Sequence, residues 1–323
     1  MRLQAGGDVL ITLPYLQDLR NKLEADVQID FLTRKETESV PRALTIFHKV
    51  YSLGGGRNTK VQFLSFLLFL PQLFFKKYDV LIDLQNHKLS KWIRLLLRVK
   101  TYALFDKNSP IYAGDRNKNT INVLDLAEVK FSILNSFKVI DERKLFEKFN
   151  LTREQKYIVI NPAGAFENRN WPLDNYVSFC EIWNQQVDPN TKFLILGIDQ
   201  IKDKSLYLIS KLGNQLINLV GQTEMIEAIH LLRYAKLVLS EDSGLLHASY
   251  TVGTPTVGIL GATRNDWTNP KLPHTYFFNS SDMPCGDCML EQCKFDEVKC
   301  LARVTPQAVL DASVRLLVKT NQC

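Results

Sequence analysis

The chain has 323 residues, more than one ordinary core comfortably organises, so two domains are expected. Hydrophobic residues make up 46% and charged residues 23%, which excludes a disordered chain and points to a soluble globular protein. A net charge of +6 suits an anionic ligand, an acidic membrane surface or a merely solvated surface. With no aromatic RNA-binding motif, zinc-finger pattern or long basic arm, a nucleic acid is not an expected partner.

The opening "MRLQAGGDVLITLP" has no cleavable apolar core, and four of the six cysteines crowd near the end instead of spreading as staples. Both features favour the cytoplasm. The first half offers strands at "DVQIDFLT" (Asp26–Thr33), "HKVYSLG" (His48–Gly54), "YDVLIDLQ" (Tyr78–Gln85) and "TYALFD" (Thr101–Asp106). A Rossmann half normally opens with a buried central strand. Only a few residues precede "GGDVL", so the first strand of this domain is expected to be missing.

Between the second and third strands, "VQFLSFLLFLPQLFF" (Val61–Phe75) is too short to span a bilayer and contains Pro71. It reads either as a buried helix or as a helix whose apolar face touches lipid. The basic stretch "KLSKWIRLLLRVK" (Lys88–Lys100) carries the same two readings, ordinary packing or a membrane-facing surface. The polar run Asp141–Gln155 reads as a linker, which places an N-terminal domain at 1–150 and a C-terminal domain at 151–323.

The second half is clearer. Apolar, β-branched runs occur at Lys156–Gly164, Lys192–Ile198, Gln215–Gly221, Ala235–Asp242 and Thr254–Gly261. Segments of helical length, such as Leu173–Gln186 and Glu224–Ala235, separate them. Buried strands alternating with helices predict a parallel sheet of Rossmann type.

Several familiar chemistries lack their signatures. No G-x-G-x-x-G follows a strand, and no P-loop, H-E-x-x-H or G-x-S-x-G occurs; Gly54–Gly56 reads as a turn. Ligands of open parallel sheets bind beyond the carboxyl ends of strands, where "LSEDSGLLHA" stands. Asp242 or Ser243 can cap the next helix, whose free N–H groups suit a diphosphate, and Gly244 lets a ligand come close. A plain cap and a core histidine at His247 would explain the same residues. Arg169, just before Trp171-Pro172, is either a phosphate-neutralising cation or a surface charge.

Cys285-x2-Cys288-x4-Cys293-x6-Cys300 has one pair at zinc-knuckle spacing. Structural zinc, an iron–sulfur cluster, and thiols that are reduced or disulfide-bonded all remain open.

Taken together, "GGDVLITLPYLQDLR", "YDVLIDLQ", "NPAGAFENRNWP", the D-S-G-x-x-H segment followed by G-T-P-T-V, and the Cys-rich loop resemble glycosyltransferase family 9. This is the ADP-heptose:lipopolysaccharide heptosyltransferase family, and the resemblance covers nearly the whole chain. It implies an α/β GT-B fold of two Rossmann-like domains whose parallel sheets face a cleft, with acceptor on the N-terminal half and nucleotide-sugar on the C-terminal half. It also implies an inverting, metal-independent transfer of heptose from ADP-heptose to a lipopolysaccharide-core acceptor, with no cofactor needed for catalysis. Such an acceptor suggests transient contact with the inner face of the cell membrane.

By the same resemblance Asp8 would be the base, although a helix cap would explain it equally. Arg169 would occupy a basic position before W-P, and the often basic next position is here Asn170. Asp242 would hold sugar hydroxyls, Ser243 and Gly244 the diphosphate, and His247 the same phosphates or the loop. Gln222, Thr223 and Thr263 would flank the nucleoside. Glu241 receives no role. Two alternatives stand beside this reading: a related transferase with another donor or acceptor, and a catalytically silent nucleotide-sugar-binding protein.

Overall fold

The computed structural model describes residues 1–164, 166–295 and 297–321, with the side chain of Glu167 left aside. It divides the chain into a unit at Met1–Lys138 and another at Val139–Cys323.

In the first unit, β1 (Asp30–Arg34) pairs in parallel with β2 (Lys49–Leu53), and β3 (Val80–Asp83) with β4 (Thr101–Leu104). Met1–Leu3 lies between the two pairs. The Arg2 N–H donates to Leu32 O at 3.0 Å, while Met1 O accepts the Leu84 N–H at 3.0 Å. No strand is assigned to this short segment, yet it is hydrogen-bonded between the two pairs, where a Rossmann half has its central strand. Directly after it, the Gly6–Lys22 helix starts, with Asp8 in its first turn.

The core of this unit gathers Leu3, Leu32, Tyr51, Leu53, Phe66 and Ile93. Phe66 comes from the Thr59–Lys76 helix, whose first N–H groups at Lys60 and Val61 donate to the Asn58 side chain. Only Gln62, Phe66 and Leu73 of that helix are buried, so the simple reading of Val61–Phe75 as a buried helix covers one stripe alone. Among the described residues, no helix is long and apolar enough to cross a membrane.

The polar run expected to be a linker at Asp141–Gln155 contains a helix instead, Glu142–Lys148. Leu145 and Phe146 are buried, Phe146 packs edge-on against Tyr234, and Lys148 pairs with Glu227 at 2.6 Å. Two apolar residues inside a charged run anchor it to the second unit. The division accordingly falls between Lys138 and Val139, ahead of the expected position at 150.

The second unit contains β5 (Tyr157–Asn161), β6 (Lys192–Ile195), β7 (Leu216–Asn218), β8 (Leu237–Glu241), β9 (Thr256–Ile259) and β10 (Thr275–Phe278). They form one parallel sheet ordered β10-β9-β8-β5-β6-β7. In chain order this is the doubly wound Rossmann arrangement, whose direction of winding reverses between β5 and β8. Every residue of β5 and β8 is buried, which explains the apolar runs that lead up to Asn161 and Ser240. Trp171, Tyr176, Phe179 and Trp183 pack over the sheet with Ile158, Ile160 and Leu239. The reversal point places the ends of β5 and β8 side by side, where a ligand site is expected in such sheets.

Candidate active site

At the end of β8 the two carboxylates separate. Glu241 is fully buried, and its two oxygens accept the backbone N–H groups of Trp171 and Gly164, each at 2.6 Å. Burial raises its pKa to about 7, opposed by the nearby Lys204 ammonium, the two backbone donors and the Tyr176 hydroxyl. Glu241 thus ties both ends of the loop after β5 to the end of β8. Sequence reasoning left it without a role. The available signal was an acidic residue terminating a fully buried strand that is apolar up to Ser240.

That loop presents Arg169, which is only 9% exposed and therefore no surface charge. Its guanidinium donates from Nη1 to Asp242 Oδ2 at 3.1 Å and lies over the Phe166 ring at 4.9 Å. Thr263 donates its hydroxyl to the same Asp242 oxygen at 2.8 Å, and His247 Nε2 lies 3.8 Å from the other. Asp242 and His247, on one strand-to-helix segment, thus meet Arg169 and Thr263 from two others. His247 is further held by a 2.9 Å contact between Nδ1 and the Tyr250 hydroxyl.

Ser243 caps the Gly244–Thr251 helix, accepting the Leu246 N–H at 3.2 Å and donating to Asn161 Oδ1 at 2.7 Å. Ser240 donates to the same Asn161 oxygen at 3.0 Å, and the Asn161 amide donates to Leu196 O. Asn161, another residue that sequence reasoning passed over, therefore locks the cap to β5. A Cβ on Gly244 would meet nothing within 4 Å, so the packing of this chain does not itself require glycine at the helix start. Gly261 differs: at φ +53° a Cβ there would stand 2.5 Å from Asn168 O, where the loop crosses the end of β9.

Asn170 accepts the Lys204 ammonium at 2.6 Å, and Pro162 O accepts it at 2.8 Å. Burial lowers the Lys204 pKa, and Glu241 acts against that shift. Lys204 Nζ thus stands beside the position where Asn170 supplies no basic group.

Gln222 turns its amide back to Asn218 O at 2.9 Å in the exposed turn after β7. Among the described residues, no hydrogen bond or ion pair joins Gln222 or Thr223 to the Asp242 cluster.

Cys285, Cys288, Cys293 and Cys300 are free thiols lining one hollow of about 230 Å³, together with Asn168 and Ala262. Burial raises the Cys300 pKa, and the neighbouring Cys293, Cys288 and Cys285 raise it further. Among the described residues, no three histidines, cysteines or carboxylates form a group able to hold a metal ion. The four thiols have the chemistry of a metal-binding set without the convergence. The loop nevertheless reaches the site: Met289 Sδ lies 3.8 Å from Arg169 Nη2, and Leu290 O accepts the Asn168 amide.

In the first unit Asp8 lines a separate hollow of about 370 Å³, shared with Arg34, Arg57, Gln62 and His87. Arg2 lies 2.9 Å from Asp8 Oδ1 and is itself fixed by Leu84 O and by the Phe105 ring at 4.7 Å. Asp8 makes no N-cap bond of its own helix, so capping does not account for it.

The pattern of glycosyltransferase family 9 (heptosyltransferase) matches residues 69–299. The chain is 24% identical, over 322 aligned residues, to lipopolysaccharide heptosyltransferase 1 of Campylobacter coli, covering 87% of this chain and 92% of that protein. Its fold resembles a family 9 glycosyl transferase from Veillonella parvula at TM-score 0.79 and 16% identity, covering 98% and 97% of the two chains. It also resembles the ADP-heptose lipopolysaccharide heptosyltransferase II of E. coli at TM-score 0.74 and 17% identity, covering 99% and 98%. With the family pattern spanning most of its length, this chain belongs to glycosyltransferase family 9 and is a glycosyltransferase of GT-B fold.

Proposed function

We propose that the protein transfers heptose from ADP-heptose to a lipopolysaccharide-core acceptor with inversion at the sugar carbon. The observation that carries this reading is the Arg169–Asp242–Thr263–His247 cluster at the start of the Gly244–Thr251 helix, at the winding reversal of the second unit. The names of similar proteins supply the donor and acceptor chemistry.

The backbone N–H groups opening at Gly244 lack intrahelical partners and receive the donor diphosphate. Arg169 stabilises the negative charge that grows on the leaving group, and Lys204 adds a second cation beside Asn170. Asp242, its Oδ2 occupied by Arg169 and Thr263, offers Oδ1 to the sugar hydroxyls. Asp8 takes the proton of the acceptor hydroxyl as that oxygen bonds to the sugar carbon. The carbon–phosphate-oxygen bond breaks in the same step, and nucleoside diphosphate leaves with the electron pair. No metal or cofactor enters this scheme.

The test uses the purified protein with a panel of nucleotide-sugars, read by melting temperature and by transfer to lipid-A-type acceptors. ADP-heptose should give the largest stabilisation and the fastest transfer. Preference for another nucleotide-sugar would replace the donor, and stabilisation without any transfer would favour a silent binding protein.

A further inference from the structure

The Thr59–Lys76 and Lys88–Leu97 helices of the first unit present apolar residues that the core does not use. Leu64, Leu68 and Phe75 are 62%, 81% and 78% exposed, and their spacing of four and seven puts them on one helical stripe. Trp92 and Leu95 of the second helix are 59% and 55% exposed. Two apolar hollows follow the seam between the helices. One, of about 780 Å³, has Phe63, Leu64, Leu89 and Trp92 in its wall; the other, of about 470 Å³, has Leu70, Phe74, Trp92 and Leu95.

Charge is distributed one-sidedly around this face. Segments 57–77 and 84–105 contain no aspartate or glutamate, while Arg57, Lys60, Lys77, Lys88, Lys91 and Arg98 are all exposed. Exposed aliphatic and aromatic residues within a predominantly basic surround match an interface of acyl chains beneath anionic headgroups. A second copy of this chain fits less well, because a twofold contact would set these like charges against one another.

We infer that this two-helix face docks on an anionic lipid bilayer, with Leu64, Leu68, Phe75, Trp92 and Leu95 entering the headgroup–acyl boundary. Thr59 and His87 line both the larger apolar hollow and the hollow that holds Asp8. Docking therefore brings the Asp8 hollow to the membrane surface, where a lipid-linked acceptor would present its sugar. That consequence rests on the proposed role of Asp8, whereas the docking itself does not.

The experiment is flotation of the full chain with phosphatidylglycerol-containing vesicles and with pure phosphatidylcholine vesicles, at low and high salt. The protein should float with the anionic vesicles at low salt, and more weakly at high salt or with neutral lipid. The double variant Leu68→Glu, Phe75→Glu, whose positions are too exposed to disturb folding, should bind roughly tenfold more weakly or worse. Its transfer to a water-soluble acceptor fragment should match that of the parent. Failure of the parent to float with anionic vesicles at low salt would overturn the inference, as would a variant that floats equally well. Self-association that the double variant abolishes would assign the face to a second copy instead. Loss of transfer by an Asp8 variant that still floats would leave docking and catalysis separately established.

Discussion

Glu241 Oε1 accepts the backbone N–H of Trp171 at 2.6 Å, so the carboxylate that ends β8 also fixes the loop that delivers Arg169. Its second oxygen does the same for Gly164. The Arg169–Asp242–Thr263–His247 cluster is thereby built on a buried acid.

That acid should give stability a distinctive pH dependence. Its folded pKa of about 7 lies above the ordinary 4.5, so between these values the folded state binds more protons than the unfolded state. Stability should fall as pH rises from 4.5 to 7 and level off above, by up to roughly 3 kcal/mol at ~1.4 kcal/mol per pH unit. Urea unfolding of the parent and Glu241→Gln from pH 5 to 8 isolates this contribution, because other titrating groups are common to both. The difference between the two proteins should change across this window. A constant difference would remove Glu241 as its source.

Lys204 should shift that titration. Its ammonium favours the ionised form of Glu241, so Lys204→Met should move the midpoint above about 7. The same substitution should slow transfer if Lys204 supplies the charge that Asn170 lacks. Unchanged titration and unchanged transfer together would reduce Lys204 to a loop contact with Pro162 and Asn170.

Arg169→Ala should cost roughly 1.5–3 kcal/mol in donor binding or transfer, as expected for a charge-assisted phosphate bond. Arg169→Lys should recover only part of this, because lysine keeps the charge without the planar fork that meets Asp242 and would meet the phosphate. Steady-state kinetics of both variants provide the check. Full activity in the alanine variant would confine Arg169 to structure.

Gly244→Ala separates ligand approach from folding. No protein atom lies within 4 Å of the added Cβ, so stability should change by less than about 0.5 kcal/mol. Donor affinity should nevertheless fall, since the methyl group would meet the diphosphate at the helix start. Calorimetric titration with ADP-heptose distinguishes this from unaltered binding, which would place the diphosphate elsewhere.

Much of this organisation was legible in the residues. The five apolar runs of the second half became β5 to β9; in β5, β6, β8 and β9 near-complete burial carries the signal in composition, while the edge strand β7 is only partly buried. β10, at "TYFF" after a proline-rich turn, escaped because it is a short edge strand of partly exposed residues. The helix at Glu142–Lys148 was hidden because two anchors, Leu145 and Phe146, are outnumbered by charges. Asp242, Ser243 and His247 were recognisable as a strand-to-helix constellation. The roles of Glu241, Asn161 and Lys204 were not, because each depends on long-range partners, Trp171, Ser240 and Asn170, that no local spacing encodes. Gln222 was placed at the site by its strand-end position, yet its amide folds back on Asn218.

In the proposed reaction Asp8 abstracts the proton and the Asp242 cluster binds the donor. Asp8→Asn tests it most directly, with heptosyl transfer and ADP-heptose affinity measured on the same preparation. Transfer should be abolished while ADP-heptose binds nearly as tightly as to the parent. Turnover equal to the parent's would contradict it.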